Sequence, residues 1–254
     1  MSLAINFAKA LAGLLLLATP AAAVDGEILI DQAKVTAGGI TPGDDPGFPA
    51  VLSRPGRYKL TSNLNVQAGT NGIDVRQSDV TIDLNGFTIS TSPSTQAASG
   101  VSLGSGAGNG LQISNGTITG FSLRAIHAFG ERNVIENMRL VSNGSGVLTG
   151  HGSRVRNSTI ASTGGFGIFC GTNCLIEQNV ISGNGTGVLF DPSPFGSGLV
   201  LGNAIVSNRL RGLESSGQRI GYGNNILFGN NAGGSQVSGL VDPLHPNVCQ
   251  GACP

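Results

Sequence analysis

Ile135-Glu-Asn-Met-Arg-Leu140, Val155-Arg-Asn-Ser-Thr-Ile160 and Ile176-Glu-Gln-Asn-Val-Ile181 repeat one pattern three times: an aliphatic residue, four intervening positions, then a second aliphatic residue. Outward from these, Leu84-Asn-Gly-Phe-Thr-Ile89, Ile113-Ser-Asn-Gly-Thr-Ile118 and Val200-Leu-Gly-Asn-Ala-Ile205 do the same. The second aliphatics stand at 89, 118, 140, 160, 181 and 205, steps of 29, 22, 20, 21 and 24 residues, and a looser seventh unit ends at Ile226. Steps near 21 are too short for helical-hairpin repeats and leave room for three brief strands with their turns. The period is that of one coil of a parallel β-helix.

A second series keeps time with the first. Asn71-Gly-Ile73, Ser99-Gly-Val101, Arg124-Ala-Ile126, Ser145-Gly-Val147, Phe166-Gly-Ile168, Thr186-Gly-Val188 and Arg211-Gly-Leu213 mark another strand in every coil. Stacked coils demand this, because neighbouring strands lie about 4.8 Å apart in register and insertions must bulge out between them. Asn115, Asn137, Asn157 and Gln178, three residues before their anchors, are expected to form one column of coil-to-coil amide bonds, and Asn143, Asn184 and Asn208, three residues after, a second. Glu136, Arg156 and Glu177 share one outward slot and give an alternating charge ladder that favours register.

The reading is therefore all-β, a single-stranded right-handed parallel β-helix of seven or eight coils. Residues 1–23 read as a signal peptide, 24–60 as an N-terminal cap and first strand, 61–240 as the β-helix and 241–254 as a proline-rich C-terminal tail. Lys9, the apolar run Ala10 to Ala18 and the small-residue site Ala21-Ala-Ala23 are the marks of an export leader too short to span a bilayer. A secreted or periplasmic location follows, with no membrane span after cleavage. Cys170/Cys174 and Cys249/Cys253 are then expected as local disulfides, with cross-pairing between the tail and the Cys170 coil as the competing arrangement. A net charge of zero without a basic stripe argues against nucleic acid as a partner.

Asp79-Val-Thr-Ile-Asp-Leu-Asn-Gly-Phe-Thr-Ile89, preceded by Pro55-Gly-Arg-Tyr-Lys-Leu-Thr-Ser-Asn-Leu64, resembles the opening coils of bacterial right-handed parallel β-helix repeat proteins of the pectin-lyase-like superfamily. The resemblance runs over roughly residues 25 to 240 and is specific for fold. Activity does not follow from it, since that architecture hosts lyases, hydrolases, epimerases, tailspikes and proteins of no known activity. It implies that any polysaccharide lies against the outer face of one sheet. In polygalacturonase-like members that sheet holds the Gly-Ile strands.

Alternation along those strands puts Asp74, Ser102, His127, Leu148, Phe169, Leu189 and Glu214 in one outward row and Arg76, Phe129 and Asp191 in the row two residues on. Glycoside hydrolysis needs paired carboxylates across the sugar, and none is present; His151 reads as a loop residue. His127 with Arg124 or Arg132 is the one candidate catalytic set, suited to a uronan lyase or epimerase. Asp74, Arg76, Phe129, Phe169, Asp191 and Glu214 are the candidate substrate-binding residues. No cofactor is expected; calcium would find only Asp44, Asp45 and Asp191 as loop carboxylates.

Leu148, Phe169 and Leu189 form an apolar patch that calls for a cover, and the insertion from Phe190 to Phe195 or the tail is the first candidate. The favoured function is an exported protein whose lateral groove binds a polysaccharide or cell-surface glycan without catalysis. Lyase or epimerase chemistry is the alternative. Self-assembly through the apolar stripe is the third reading.

Overall fold

The computed structural model describes residues 26–104, 108–193, 196–251 and 253, so the leader read at 1–23 and the last two residues of the insertion, Pro194 and Phe195, lie outside the described residues. Its 24 strands hydrogen-bond into one continuous parallel system, in which each strand pairs with its equivalent one coil before and one coil after. This is a parallel β-helix. Three sheets run its length, and three columns of aliphatic side chains fill the interior between them.

The first sheet carries the Gly-Ile series. Ala50, Ile73, Val101, Ile126, Val147, Ile168, Val188, Leu213 and Val237 succeed one another in register. The third sheet carries the anchors Leu64, Ile89, Ile118, Leu140, Ile160, Ile181, Ile205, Leu227 and Cys249 in the same way. Both columns contain nine members, one per coil, against the seven or eight expected. The two extra coils come from the termini.

At the N-terminal end the repeat begins before residue 60: Ile28–Ile30 pairs with Gly56–Leu60, and Ala50–Leu52 pairs with Ile73–Val75. The short helix Gln32–Ala37 closes this end with Val35 buried, its N-cap Asp31 accepting from Lys34 N–H. The outer strand edges are blunted by side chains. Gln32 Oε1 accepts from Asn65 N–H, Asp44 Oδ1 from Val51 N–H, and Thr41 donates to the Val51 carbonyl. An open edge would template pairing with another chain.

The proline-rich tail belongs to the ninth coil. Val237–Pro243 pairs with Leu213–Gly223, and Val248–Cys249 pairs with Ile226–Phe228. Pro243 sits on the outermost strand, where among the described residues no further neighbour asks for its missing N–H. Leu244 and His245 lie against Gly221 and Gly223 of the preceding coil, where an added Cβ would come within 2.6 and 2.9 Å of them.

Two slots differ by position from the sequence reading. The core residue of the seventh unit is Leu227, while Ile226 points outward and is 48% exposed. In the first unit Ile82, not Leu84, pairs with Ile113, so two additional residues separate the paired positions of that coil. A strand alternates in and out, so a shift of one residue exchanges core for surface.

The amide columns are also redistributed. Asn115, Asn137, Asn157 and Gln178 all have φ between 50° and 62° and are exposed, except that Asn115 to Asn137 makes one amide bond of 3.2 Å. They turn the corner; they do not fill it. Asn tolerates the left-handed region better than most residues. The buried ladder is one residue further on. Ser158, Asn179, Asn203, Asn225 and Asn247 each accept, through the side-chain oxygen, the N–H of the equivalent residue one coil earlier, at 2.9 to 3.1 Å.

The second expected column is present and longer than expected: Asn143, Asn184, Asn208 and Asn230 accept from Phe121, Thr163, Asn184 and Asn208 N–H at 3.0 to 3.1 Å. These amides satisfy corner backbone that has no strand partner.

The glycines of the first sheet answer to a close approach. A Cβ on Gly146 would stand 2.2 Å from the Gly167 carbonyl oxygen, and one on Gly187 2.4 Å from that of Gly212. The corner can fold inward at this point because the side chain is missing. Outside, Arg156 meets Glu136 at 2.6 Å, but Glu177 turns to Arg154 at 3.6 Å, which splits the expected charge ladder into two pairs.

Candidate functional site

The outward row of the first sheet is continuous. Asp74, Ser102, His127, Leu148, Phe169, Leu189 and Glu214 are register partners from strand to strand. Strand spacing puts Asp74 about 10 Å from His127, and Glu214 about 29 Å from Asp74. Carboxyl groups that cleave a glycosidic bond stand roughly 5 to 9.5 Å apart. The two carboxylates of this row therefore flank the surface without forming a pair. Asp74 is further engaged by Asn71, whose amide donates to Oδ1 at 3.0 Å.

At the centre, Phe166 and Phe169 stand with ring centroids 5.6 Å apart and planes inclined by 50°. The Arg124 guanidinium lies 6.0 Å from the Phe166 centroid, reaching along the stack past Ser145. Such a cation over an aromatic face is attracted by the ring quadrupole. Arg124 forms no ion pair among the described residues, and its Nε is buried without a hydrogen-bond partner. Burial holds its guanidinium below the ordinary arginine value.

His127 is three residues on, in the same strand, Arg124–Ala128. Burial lowers the imidazole pKa first, and the neighbouring Arg124 charge lowers it further. Arg124 and His127 are thus brought together electrostatically. Arg132 is not part of this pair. It occupies the next corner at φ 56°, where its side chain pairs with Glu131 at 3.2 Å and its N–H donates to the His151 carbonyl.

A depressed imidazole sets the sign of a pH effect. Below its ordinary value near 6.5 the unfolded chain takes up the proton first, so unfolding is favoured as pH falls. The loss levels off once the lower folded value is passed. Urea unfolding at pH 7.5 and 5.0 is expected to show a smaller drop in midpoint for His127→Gln than for the natural chain; equal drops would remove the effect.

The second row is less coherent. Arg76 and Phe129 are exposed, Phe129 at 54%. Asp191 is committed to its own loop, accepting from Ser193 N–H at 2.9 Å, while its backbone carbonyl receives the Gln218 amide. Asp44 is likewise consumed, its two oxygens accepting from Ile40 and Val51 N–H. Among the described residues no group of three or more His, Cys, Asp or Glu side chains converges as a cation site.

Leu148, Phe169 and Leu189 are half-buried. Of the expected covers, Phe190 is fully buried inside the core, and Leu244 packs toward Leu199 and Gly221; Phe195 lies outside the described residues. Cys170 and Cys174 are bonded to each other, as are Cys249 and Cys253, so both bridges are local. His151 serves the first bridge, its Nδ1 accepting from Thr172 N–H at 2.9 Å within the closed loop.

Phe166 is the residue that sequence alternation missed. Counting by two from Phe169 assigns position 166 to the opposite face, yet Gly167 and Ile168 are both buried, which breaks the alternation and returns the ring beside Phe169. An aromatic residue three before another across a Gly-Ile step is the signal that identifies it.

A family model described as "Right handed beta helix region" matches residues 55–232, 178 of the 254 residues. The chain belongs to the right-handed β-helix family. Neither a curated protein nor a solved structure gives a significant match. Among β-helix proteins, then, this one is described by its own surface.

Proposed function

We propose that this β-helix protein is exported and that the first-sheet face around Phe169 binds a polysaccharide or cell-surface glycan without cleaving it. The observation that carries the reading is the Phe166–Phe169 pair with Arg124 beside it, at the centre of a row whose only carboxylates stand at its two ends. A sugar ring offers an apolar face for the aromatic surface and hydroxyl oxygens or an anionic substituent for the unpaired guanidinium. Strands spaced about 4.8 Å apart present equivalent positions along the stack, as an extended chain of sugars requires. Two local disulfides accord with an oxidising compartment.

Retention on insoluble and soluble polysaccharides tests the proposal. Phe169→Ala is expected to weaken retention about tenfold or more, the loss of one stacking aromatic, with an unchanged far-UV spectrum. A chain that no glycan retains overturns it.

A second reading is supported by His127. Burial and Arg124 both favour its neutral form, the form able to remove a proton next to a uronate carboxylate. New absorbance from unsaturated sugar on incubation with polyuronates, lost in His127→Ala, would establish a lyase in place of a binder.

A further inference from the structure

The third sheet carries a surface unrelated to the glycan face. On its last four coils one outward row reads Val180, Ala204, Ile226 and Val248, in register. Val180, Ile226 and Val248 are 45, 48 and 64% exposed. In the row two residues on, Val206 pairs with Phe228, which is 55% exposed. Ser182 precedes Val206 in that row and Gln250 follows Phe228. None of these positions is charged. Along the row of Val180 the first charge is Arg139, two coils before it.

We propose that this face is where a second copy of the chain docks, sheet against sheet, about a two-fold axis parallel to the strands and midway between the coils of Ala204 and Ile226. Such an axis reverses the order of coils and keeps each row opposite itself. Ala204 then faces the partner's Ile226, and Val206 faces the partner's Phe228, small against large in both rows. Val180 meets the partner's Val248, apolar on apolar, and Ser182 falls opposite the partner's position 250, where the Gln250 side chain accepts from Gly229 N–H of its own chain. Isologous contacts require this self-complementarity. Arg139 falls outside the overlap, so no like charges are opposed.

The lack of charge and the sparse donors disfavour nucleic acid or a glycan as occupant, while a flat in-register face packs on its like at about 10 Å. The patch is small. Its four coils extend about 14 Å along the stack, less than the roughly 800 Å² per partner of a standard interface would need, so association is weak and concentration-dependent.

Sedimentation equilibrium of the disulfide-bonded chain over micromolar to millimolar concentration is expected to show monomer passing to dimer. Val206→Phe opposes ring to ring and is expected to weaken the dimer about tenfold or more. Adding Phe228→Val to it exchanges the large and small partners and restores association. A monomer throughout, or a dimer indifferent to Val206→Phe, overturns the proposal. Failure of the double variant to recover also overturns it, provided its far-UV spectrum matches the natural chain. Phe169→Ala is expected to leave the dimer unchanged, which separates this surface from the glycan reading.

Discussion

Asn208→Leu is expected to destabilise the chain by about 3 to 5 kcal/mol, read as a large fall in urea midpoint. The side chain is 1% exposed. Its Oδ1 accepts from Asn184 N–H at 3.0 Å, and its Nδ2 donates to the Ile181 carbonyl at 3.2 Å and to Asn230 Oδ1 at 2.8 Å. Leucine has similar bulk but leaves a buried N–H and a buried carbonyl unmade. Each unmade group costs roughly 1 to 3 kcal/mol. Asn157→Gly, at an exposed corner with φ 50°, is the matched control and is expected to change stability by less than about 1 kcal/mol. Equal midpoints for the two variants would contradict the ladder.

Gly187→Val is expected to cost about 3 kcal/mol or to prevent folding. A Cβ at this position stands 2.4 Å from the Gly212 oxygen, 2.6 Å from Ile205 Cγ2 and 3.0 Å from Asn208 Nδ2. Two of these belong to the next coil's backbone and to the amide ladder, so relief requires the coil spacing itself to open. Overpacking of a well-packed interior usually costs 1 to 3 kcal/mol, and a rigid neighbour raises it. Gly187→Ala supplies the milder member of the pair, with Gly86→Ala, where no atom lies within 4 Å, as the measure of backbone strain alone at φ 83°. Urea midpoints for the three variants order the two effects; a Gly187→Val midpoint close to that of Gly86→Ala would show that the coils give way without cost.

Much of the architecture was readable because stacking turns chain period into spatial column. Val101, Ile126, Val147, Ile168 and Val188 are separated by irregular counts, yet each pairs with the next. The Asn143, Asn184 and Asn208 column was legible for the same reason, since it lies a constant three residues from a core anchor. The outward row from Asp74 to Glu214 follows from simple alternation.

Two of the errors share one origin. A corner residue with positive φ resets the in-out alternation, and side-chain identity does not disclose φ. At Gln178 and Asn179 either amide satisfies the pattern. The left-handed turn falls on Gln178, at φ 57°, and sends Asn179 inward. At Ile226 and Leu227 both residues are aliphatic, and the preceding corner at Asn224, φ 58°, decides which is buried. Phe166 has a different cause: Gly167 lies within the strand Phe166–Cys170, and the consecutive burial of Gly167 and Ile168 interrupts the alternation and leaves Phe166 beside Phe169.

From the sequence alone came the coil, its period and the two columns that keep common time, because these depend on spacing, and register converts spacing into contact; the structure chose local over crossed pairing of the cysteines. Tertiary structure decided that Arg124 meets Phe166 while Arg132 turns to Glu131, that the tail belongs to a ninth coil, and that an uncharged face lies on the third sheet. Those outcomes depend on where each corner bends and how far a long side chain reaches across neighbouring coils, distances that only the packed stack sets.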